Sequence, residues 1–425
     1  MLKKKFLLVV LLLSSVLSAW GQRADVREEV LANPLRSYGN DFPYPTETYR
    51  QTPAPKGYKA FYLSHYGRHG SRYYWEASLY KRIDSLLTSA HNKGILTEAG
   101  EAFYQEFSAI KPELTVGVTE LTPLGYSQHV RIAKTMYESF PDIFKKGGHV
   151  EAFSSLEGRC IVSMAAFCQS LSAQNRKLDI YQRASKGTLN AVVPDARENP
   201  TRWSVTPDEF PVQGEPSVSK SPAAGKKAFV DKYFKEGALG NREAWSIQSA
   251  LNTFYTTLPS IGHEGMMGEP YSVEEMYSRW EASNAGSYRH YWTRRFLAVP
   301  IVEDILERAD AVISGKSTEI ADLRFGHDSY LAPLNILLGL DGSFTVPENP
   351  DDFKYVYQNY NTCMAGNIQL IFYKNAADDV LVKALLCGRE VTLPLPGDQA
   401  PYYKWSDFLK YYRALCLSAR ENKTR

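Results

Sequence analysis

Residues 59–65, Lys-Ala-Phe-Tyr-Leu-Ser-His, form a β-rich run that leads into Arg68-His69-Gly70-Ser71-Arg72. A strand of this kind belongs in a core, whereas three basic side chains around a glycine turn belong at its open end. That combination restricts the folds available, and it recurs twice. Residues 149–153 read as a strand followed by Ser154-Ser155, and Arg159 lies at the entry of a helix with Ile161, Met164, Ala165, Cys168 and Leu171 on one face. Further on, Ala321, Leu323 and Phe325 alternate along a strand, Gly326-His327-Asp328 turns, and a helix covers 330–338. Strand-to-helix junctions place ligands at strand ends, where helix N-termini favour anions. The expected fold class is α/β: a three-layer core with a mostly parallel central sheet.

Other segments fit this frame. Thr122 caps a helix with Pro123 at its first position, Val130, Ala133, Met136, Tyr137 and Phe140 on its apolar face, and Pro141 at its end. Residues 22–56 are polar and proline-punctuated and read as an extended lead-in. Residues 200–314 change character, with helices expected at 226–236, 241–258, 272–295 and 299–314, which together suggest a helical cap. The core is then 22–199 with 315–425. Near the C-terminus, strands are expected at 368–373, 380–386 and 391–395, followed by a helix capped by Ser406.

Arginines on both sides of a histidine suit a phosphate dianion, which guanidinium groups bind in bidentate fashion. Their field also keeps the imidazole neutral, which leaves a ring nitrogen free to attack phosphorus. A merely basic loop is the alternative for the pentapeptide alone; the two later junctions weigh against it. Arg324, just before the His-Asp pair, either reaches a polyanion or is solvated or salt-bridged. His65 reads as a core histidine. His263-Glu264 lacks a second histidine at zinc-helix spacing, no GxSxG is present, and Ala224-Gly225-Lys226-Lys227 lacks the upstream glycine of a P-loop.

Arg68-His69-Gly70-Ser71-Arg72 resembles the RHGxR signature of the histidine acid phosphatases, a branch of the histidine phosphatase superfamily. Leu121-Thr122-Pro123-Leu124-Gly125 with Gln128 is similar to that family's LTxxGxxQ helix start, Arg159 to its middle arginine, and His327-Asp328 to its distal pair. The resemblance implies that His69 is the nucleophile, that Arg68, Arg72, Arg159 and His327 bind the phosphoryl group, and that Asp328 protonates the leaving group. It implies no metal or other cofactor. The layout of 367–395 resembles bacterial multiple inositol polyphosphate phosphatases, many of which carry His-Ala-Glu where this chain has His327-Asp328-Ser329; Tyr74 stands where the family often has proline. The implied substrates are inositol polyphosphates including phytate, with small phosphomonoesters as the alternative. A phosphate-ester binding protein without activity is a further alternative, disfavoured because both His69 and Asp328 are present.

Residues 1–21 combine Lys3-Lys4-Lys5, an apolar run and the small pair Ala19 and Gly21, the pattern of a cleaved export leader. The expected location is therefore the periplasm or cell exterior, with no stable membrane insertion. A net charge of +2 over 425 residues gives no general reason to expect nucleic acid as a partner. Cys160 and Cys168 are expected to be buried thiols, and a disulfide among Cys363, Cys387 and Cys416 is open.

Overall fold

The computed structural model describes residues 25–194, 209–397 and 399–421. The expected leader, residues 1–21, lies outside them. One sheet contains β1 (Lys59–Arg68), β2 (Gly148–Ser154), β3 (Leu178–Arg183), β4 (Glu319–Gly326), β5 (Asn367–Lys374), β6 (Val380–Leu386), β7 (Arg389–Val391) and β8 (Tyr403–Lys404). Their order is β3-β2-β4-β1-β5-β6-β7, with β8 paired to β6. The first four in this order run parallel, and β5 to β8 pair antiparallel.

The expected parallel sheet is thus confined to one half, and the whole is mixed. Tight turns explain the other half, because a short connection can join only antiparallel strands. Between β6 and β7 the turn is Cys387-Gly388, with φ of 51° and 83°, the left-handed pair that a two-residue hairpin requires. The strand expected at 391–395 stops at Val391, because Thr392 leaves the sheet to hydrogen-bond Asp341 through both its N–H and its hydroxyl.

Ten helices matter here: α1 (Ala77–Asn92), α2 (Glu98–Gly117), α3 (Pro123–Ser139), α4 (Gly158–Gln174), α5 (Ala228–Tyr233), α6 (Asn241–Ile261), α7 (Val273–Trp292), α8 (Val299–Ile313), α9 (Asp328–Leu337) and α10 (Trp405–Glu421). α3 and α4 cover one face of the sheet through Ile132, Met136, Met164 and Phe167 against Val150, Leu323 and Phe325. α8, α9 and α10 cover the other through Ile301, Ile305, Leu331, Leu334, Phe408 and Tyr412. α1, α2, α5 and α6 share a separate apolar cluster that forms a helical layer.

The expected apolar faces hold at Ala133, Met136, Phe140, Met164, Cys168 and Leu171, which are buried, and depart from expectation elsewhere. Val130, Ile161 and Ala165 are exposed, whereas Ile132, Cys160 and Phe167 are buried. On α3 the cause is its first turn: Gly125, Gln128 and His129 face inward, so Ile132, Ala133 and Met136 continue that line at helical spacing. Ser406 falls inside α10 instead of before it. All five cysteines are buried free thiols. The lead-in is also corrected: Val26–Ala32 is helical and Pro34–Asp41 is a 3-10 segment.

Arg324 is buried on β4, donating to Ser64 Oγ at 3.0 Å and to Asp304 Oδ2 at 3.0 Å. Arg308 bridges the same Asp304 to Asp322, and Tyr62 donates to Asp322 in a short hydrogen bond. Of the two expectations for Arg324, the structure gives the salt-bridged one. Burial works against the charge of Asp304, but Arg324 and Arg308 hold its carboxyl below the usual range.

On the opposite face, His65 and His129 are buried among Phe167 and Phe325. Burial pushes both imidazoles down to about 3, with His129 and Arg324 adding to the effect on His65. Each is neutral when folded and protonates near the ordinary value when unfolded. Stability is therefore full above about pH 6.5 and falls with pH toward 3, by up to about 1.4 kcal/mol per pH unit per histidine. We expect the urea midpoint to drop steeply between pH 6 and 4. His129→Met, neutral at every pH, should reduce that slope measurably; an identical slope would remove the histidines as its cause.

Candidate active site

The order β2-β4-β1 puts the three basic junctions side by side. Arg68 is in register with Gly326, and Ser154 with Phe325. His69 N–H donates to the Gly326 carbonyl at 3.0 Å, and Ser155 N–H to that of Phe325 at 3.0 Å. Arg68, His69, Arg72, Arg159, His327 and Asp328 therefore gather at the C-terminal ends of the parallel strands β1, β4 and β2.

The turn holding His69 is clamped by α3. Thr122 N–H donates to the Ser71 carbonyl at 2.9 Å, and its hydroxyl accepts from Gly125 N–H as a helix cap. Gln128 accepts from Ser71 N–H and donates to Ser71 Oγ, both at 2.9 Å. Gly125 is needed for contact: a Cβ there would lie 2.2 Å from the Ser71 carbonyl oxygen, and one on Gly70 would lie 2.4 Å from the Gly125 oxygen. The Thr-x-x-Gly-x-x-Gln spacing is thus a device for gripping the turn. From the far side, Ala365 N–H donates to the His69 carbonyl at 2.8 Å.

His69 is buried, with Nδ1 2.9 Å from the Gly70 carbonyl. A carbonyl only accepts, so Nδ1 carries the proton and the lone pair of the neutral ring sits on Nε2. Burial, then Arg68, Arg72, His327 and Arg159, push this imidazole well below its ordinary value. The His327 ring meets it edge-on with centroids 5.6 Å apart, and His327 Nε2 lies 3.2 Å from Ser155 Oγ. Arg159 stands in the first turn of α4, paired with the exposed Glu157 at 3.0 Å.

Arg68 is fully buried. Its Nη1 donates to the carbonyls of Asn40, in a short bond, and Thr362, at 3.0 Å; its Nη2 faces Asp328 Oδ2 at 3.4 Å. Asp328 opens α9 and also accepts from Asn40 Nδ2 at 2.7 Å. Burial opposes its charge, but Arg68, Arg72, Asn40 and His327 hold the carboxyl below the usual range. Burial raises the carboxyl of Asp41; Arg72 and Arg68 act against this and Asp328 adds to it.

Sequence reasoning missed Asn40, Asp41 and the 362–366 loop. Gly39-Asn40-Asp41 is a turn signal within the lead-in, yet nothing local links it to residue 328. Among the described residues, His149, Glu151 and Glu319 are close enough to share a cation. They lie at the opposite strand ends, where His149 already bonds Glu151 and Asp179.

Gly125→Ala should force the His69 turn to move. We expect kcat/KM for an aryl phosphate to fall by about 100-fold, as misplacement of reacting groups by about 1 Å does. Gly286→Ala, where a Cβ meets nothing within 4 Å, is the control and should leave the rate unchanged. Equal rates in both variants would refute the clamp.

Residues 67–237 match the family model for the histidine phosphatase superfamily (branch 2). No curated protein sequence matches the chain. Among solved structures, it is similar to the multiple inositol polyphosphate phosphatase of Bifidobacterium longum in complex with inositol hexasulfate, at 19% identity and a TM-score of 0.64 over 87% of this chain and 96% of that one. It is also similar to the phytase of D. castellii (13% identity, TM-score 0.67, 90% and 85%) and that of Citrobacter braakii (12% identity, TM-score 0.51, 85% and 98%). At these identities the likeness is one of fold. The family match spans the His69 turn, the α3 clamp and Arg159, so this stretch of the chain is similar to the histidine phosphatase superfamily, branch 2.

Proposed function

We propose that the protein hydrolyses phosphate monoesters through a phosphohistidine at His69, with inositol polyphosphates as its substrates. The observation that carries this reading is the fixed tautomer of His69, whose Nε2 lone pair is available beside Arg68, Arg72 and Arg159. In the first step Nε2 attacks phosphorus, the P–O bond to the leaving group breaks, and Asp328 gives its proton to the departing oxygen. In the second step water attacks the phosphohistidine, the Asp328 carboxylate takes the water's proton, and the N–P bond breaks to release phosphate. The arginines and His327 supply charge stabilisation and positioning, on which phosphoryl transfer chiefly depends.

Without substrate, Asp328 is held ionised by Arg68 and Arg72. A bound dianion takes up those charges and places negative charge beside the carboxyl, so its proton affinity rises. A mildly acidic optimum follows. His69→Ala should abolish turnover. Asp328→Asn should slow alkyl phosphates at least tenfold more than activated aryl phosphates, as loss of a general acid does; equal losses on both would undo the proton-donor assignment.

Inositol polyphosphates are favoured by the fold shared with the Bifidobacterium longum enzyme bound to inositol hexasulfate. On this chain, Arg294, just past the end of α7, lies 3.2 Å from His290 Nδ1, and the His290 imidazole, lowered by burial and Arg294, feels the opposing charge of Asp328. His327-Asp328-Ser329 in place of His-Ala-Glu favours the second reading, broad action on small phosphomonoesters. Phosphate release from phytate, glucose phosphate and an aryl phosphate over a pH series separates the two. We expect kcat/KM to be highest for phytate; indifference would favour the broad reading. Export by residues 1–21 is part of the proposal. No helix among the described residues is long and apolar enough to cross a membrane.

A further inference from the structure

A carboxyl that donates a proton has to carry it on the oxygen turned toward the leaving group. Asp328 Oδ2 already receives Asn40 Nδ2 at 2.7 Å and faces Arg68 Nη2 at 3.4 Å. With N–H donors directed at Oδ2, the proton is left to Oδ1. We propose that Asn40 is a positioning residue that fixes which oxygen of Asp328 carries the transferred proton, making the N-terminal segment part of the proton-donating apparatus. The inference rests on the reading of Asp328 as proton donor.

The segment is built to hold Asn40 still. Gly39 adopts φ 61° and packs so closely on Asn359 that a Cβ would lie 2.6 Å from the side-chain amide nitrogen. Asn359 is in turn fixed by Trp280 Nε1 at 2.9 Å and by Asn284, which accepts its N–H at 2.8 Å. The Asn40 carbonyl accepts from Arg68, and that of Phe42 accepts from Met364 N–H at 2.9 Å. The Asn40 side chain is thereby delivered to Asp328 by backbone anchored on both sides.

Its neutrality matters as much as its place. Asp328 is surrounded by Arg68 and Arg72 at the end of β1 and in the turn after it, His327 at the cap of its own helix, Asp41 beside Asn40, His290 and Tyr291 from α7, and Tyr357 ahead of the 362–366 loop. A third cation at position 40 would stabilise the carboxylate and strip the acid of its proton. An amide orders the oxygen without adding charge.

Asn40→Ala removes the side-chain amide and keeps the backbone carbonyl that holds Arg68; Asn40→Asp keeps the shape and replaces the amide by a second carboxyl. For both, we expect kcat on an alkyl phosphate to fall about tenfold, with KM nearly unchanged and an activated aryl phosphate affected less than about twofold, the scale of one hydrogen bond to a charged group acting on the proton-transfer step. The alkaline limb of the alkyl-phosphate profile should move up in Asn40→Ala, because a donor favouring the charged form is gone, and further up in Asn40→Asp, because a like charge is added. Thermal melting checks that each variant is folded, and Asp328→Asn is run in parallel. Equal losses on both esters, or unmoved limbs, while Asp328→Asn remains selective, would overturn this inference alone. Equal losses in Asp328→Asn as well would overturn the proton-donor reading beneath it.

Discussion

The burial of Arg68 is the constraint around which the rest is arranged. A guanidinium with 1% of its surface exposed has lost its water and must be repaid in hydrogen bonds from the protein. Its partners come from places far apart in the chain: the carbonyls of Asn40 and Thr362, which accept hydrogen bonds, and the carboxylate of Asp328, which forms an ion pair at 3.4 Å. Satisfying one cation therefore ties the N-terminal segment, the loop before β5 and the start of α9 to the end of β1. The backbone follows the same logic, with Arg68 N–H donating to Gly366 and the His69 carbonyl accepting from Ala365.

What could be read from sequence was what is local. The His69 turn, Arg159 and His327-Asp328 each follow a strand within a few residues, and the α/β class follows from that repetition. Their meeting was legible only as an expectation, because strand order is set by pairings across the chain, not by any one strand's composition. The α3 clamp was visible as a motif, but its purpose emerges only when Gly125 is seen against Ser71. Asn40 was invisible for a plain reason: its partner is 288 positions away, and a polar stretch with prolines looks the same whether it trails in solvent or closes a site. The departures on the faces of α3 and α4 have a related cause, since polar or small inward residues such as Gln128, His129 and Ser163 break the hydrophobic period used to find a face.

The site's charges and the core's histidines pull in opposite directions as pH falls. The proposed reaction needs a protonated Asp328 and a neutral His69. The latter is secured by burial and by the surrounding arginines, so acid does not threaten the nucleophile until well below the ordinary imidazole range. His65 and His129 lie beneath the same turn, buried without charges to pair with. The acid side of the working range is then set by the fold more than by the chemistry, because the unfolded chain gains protons that the core refuses.

The mixed sheet has a consequence in time. During synthesis the His69 turn emerges well before the Thr362 and Ala365 groups that support it, and these reach it only by laying β5 antiparallel against β1. Until that strand arrives, Arg68 lacks its Thr362 partner and the turn its backstop. A chain that lacks β5 carries the letters of the proposed nucleophile without its geometry, so the hydrolytic competence proposed for it would appear only once that strand has been laid down.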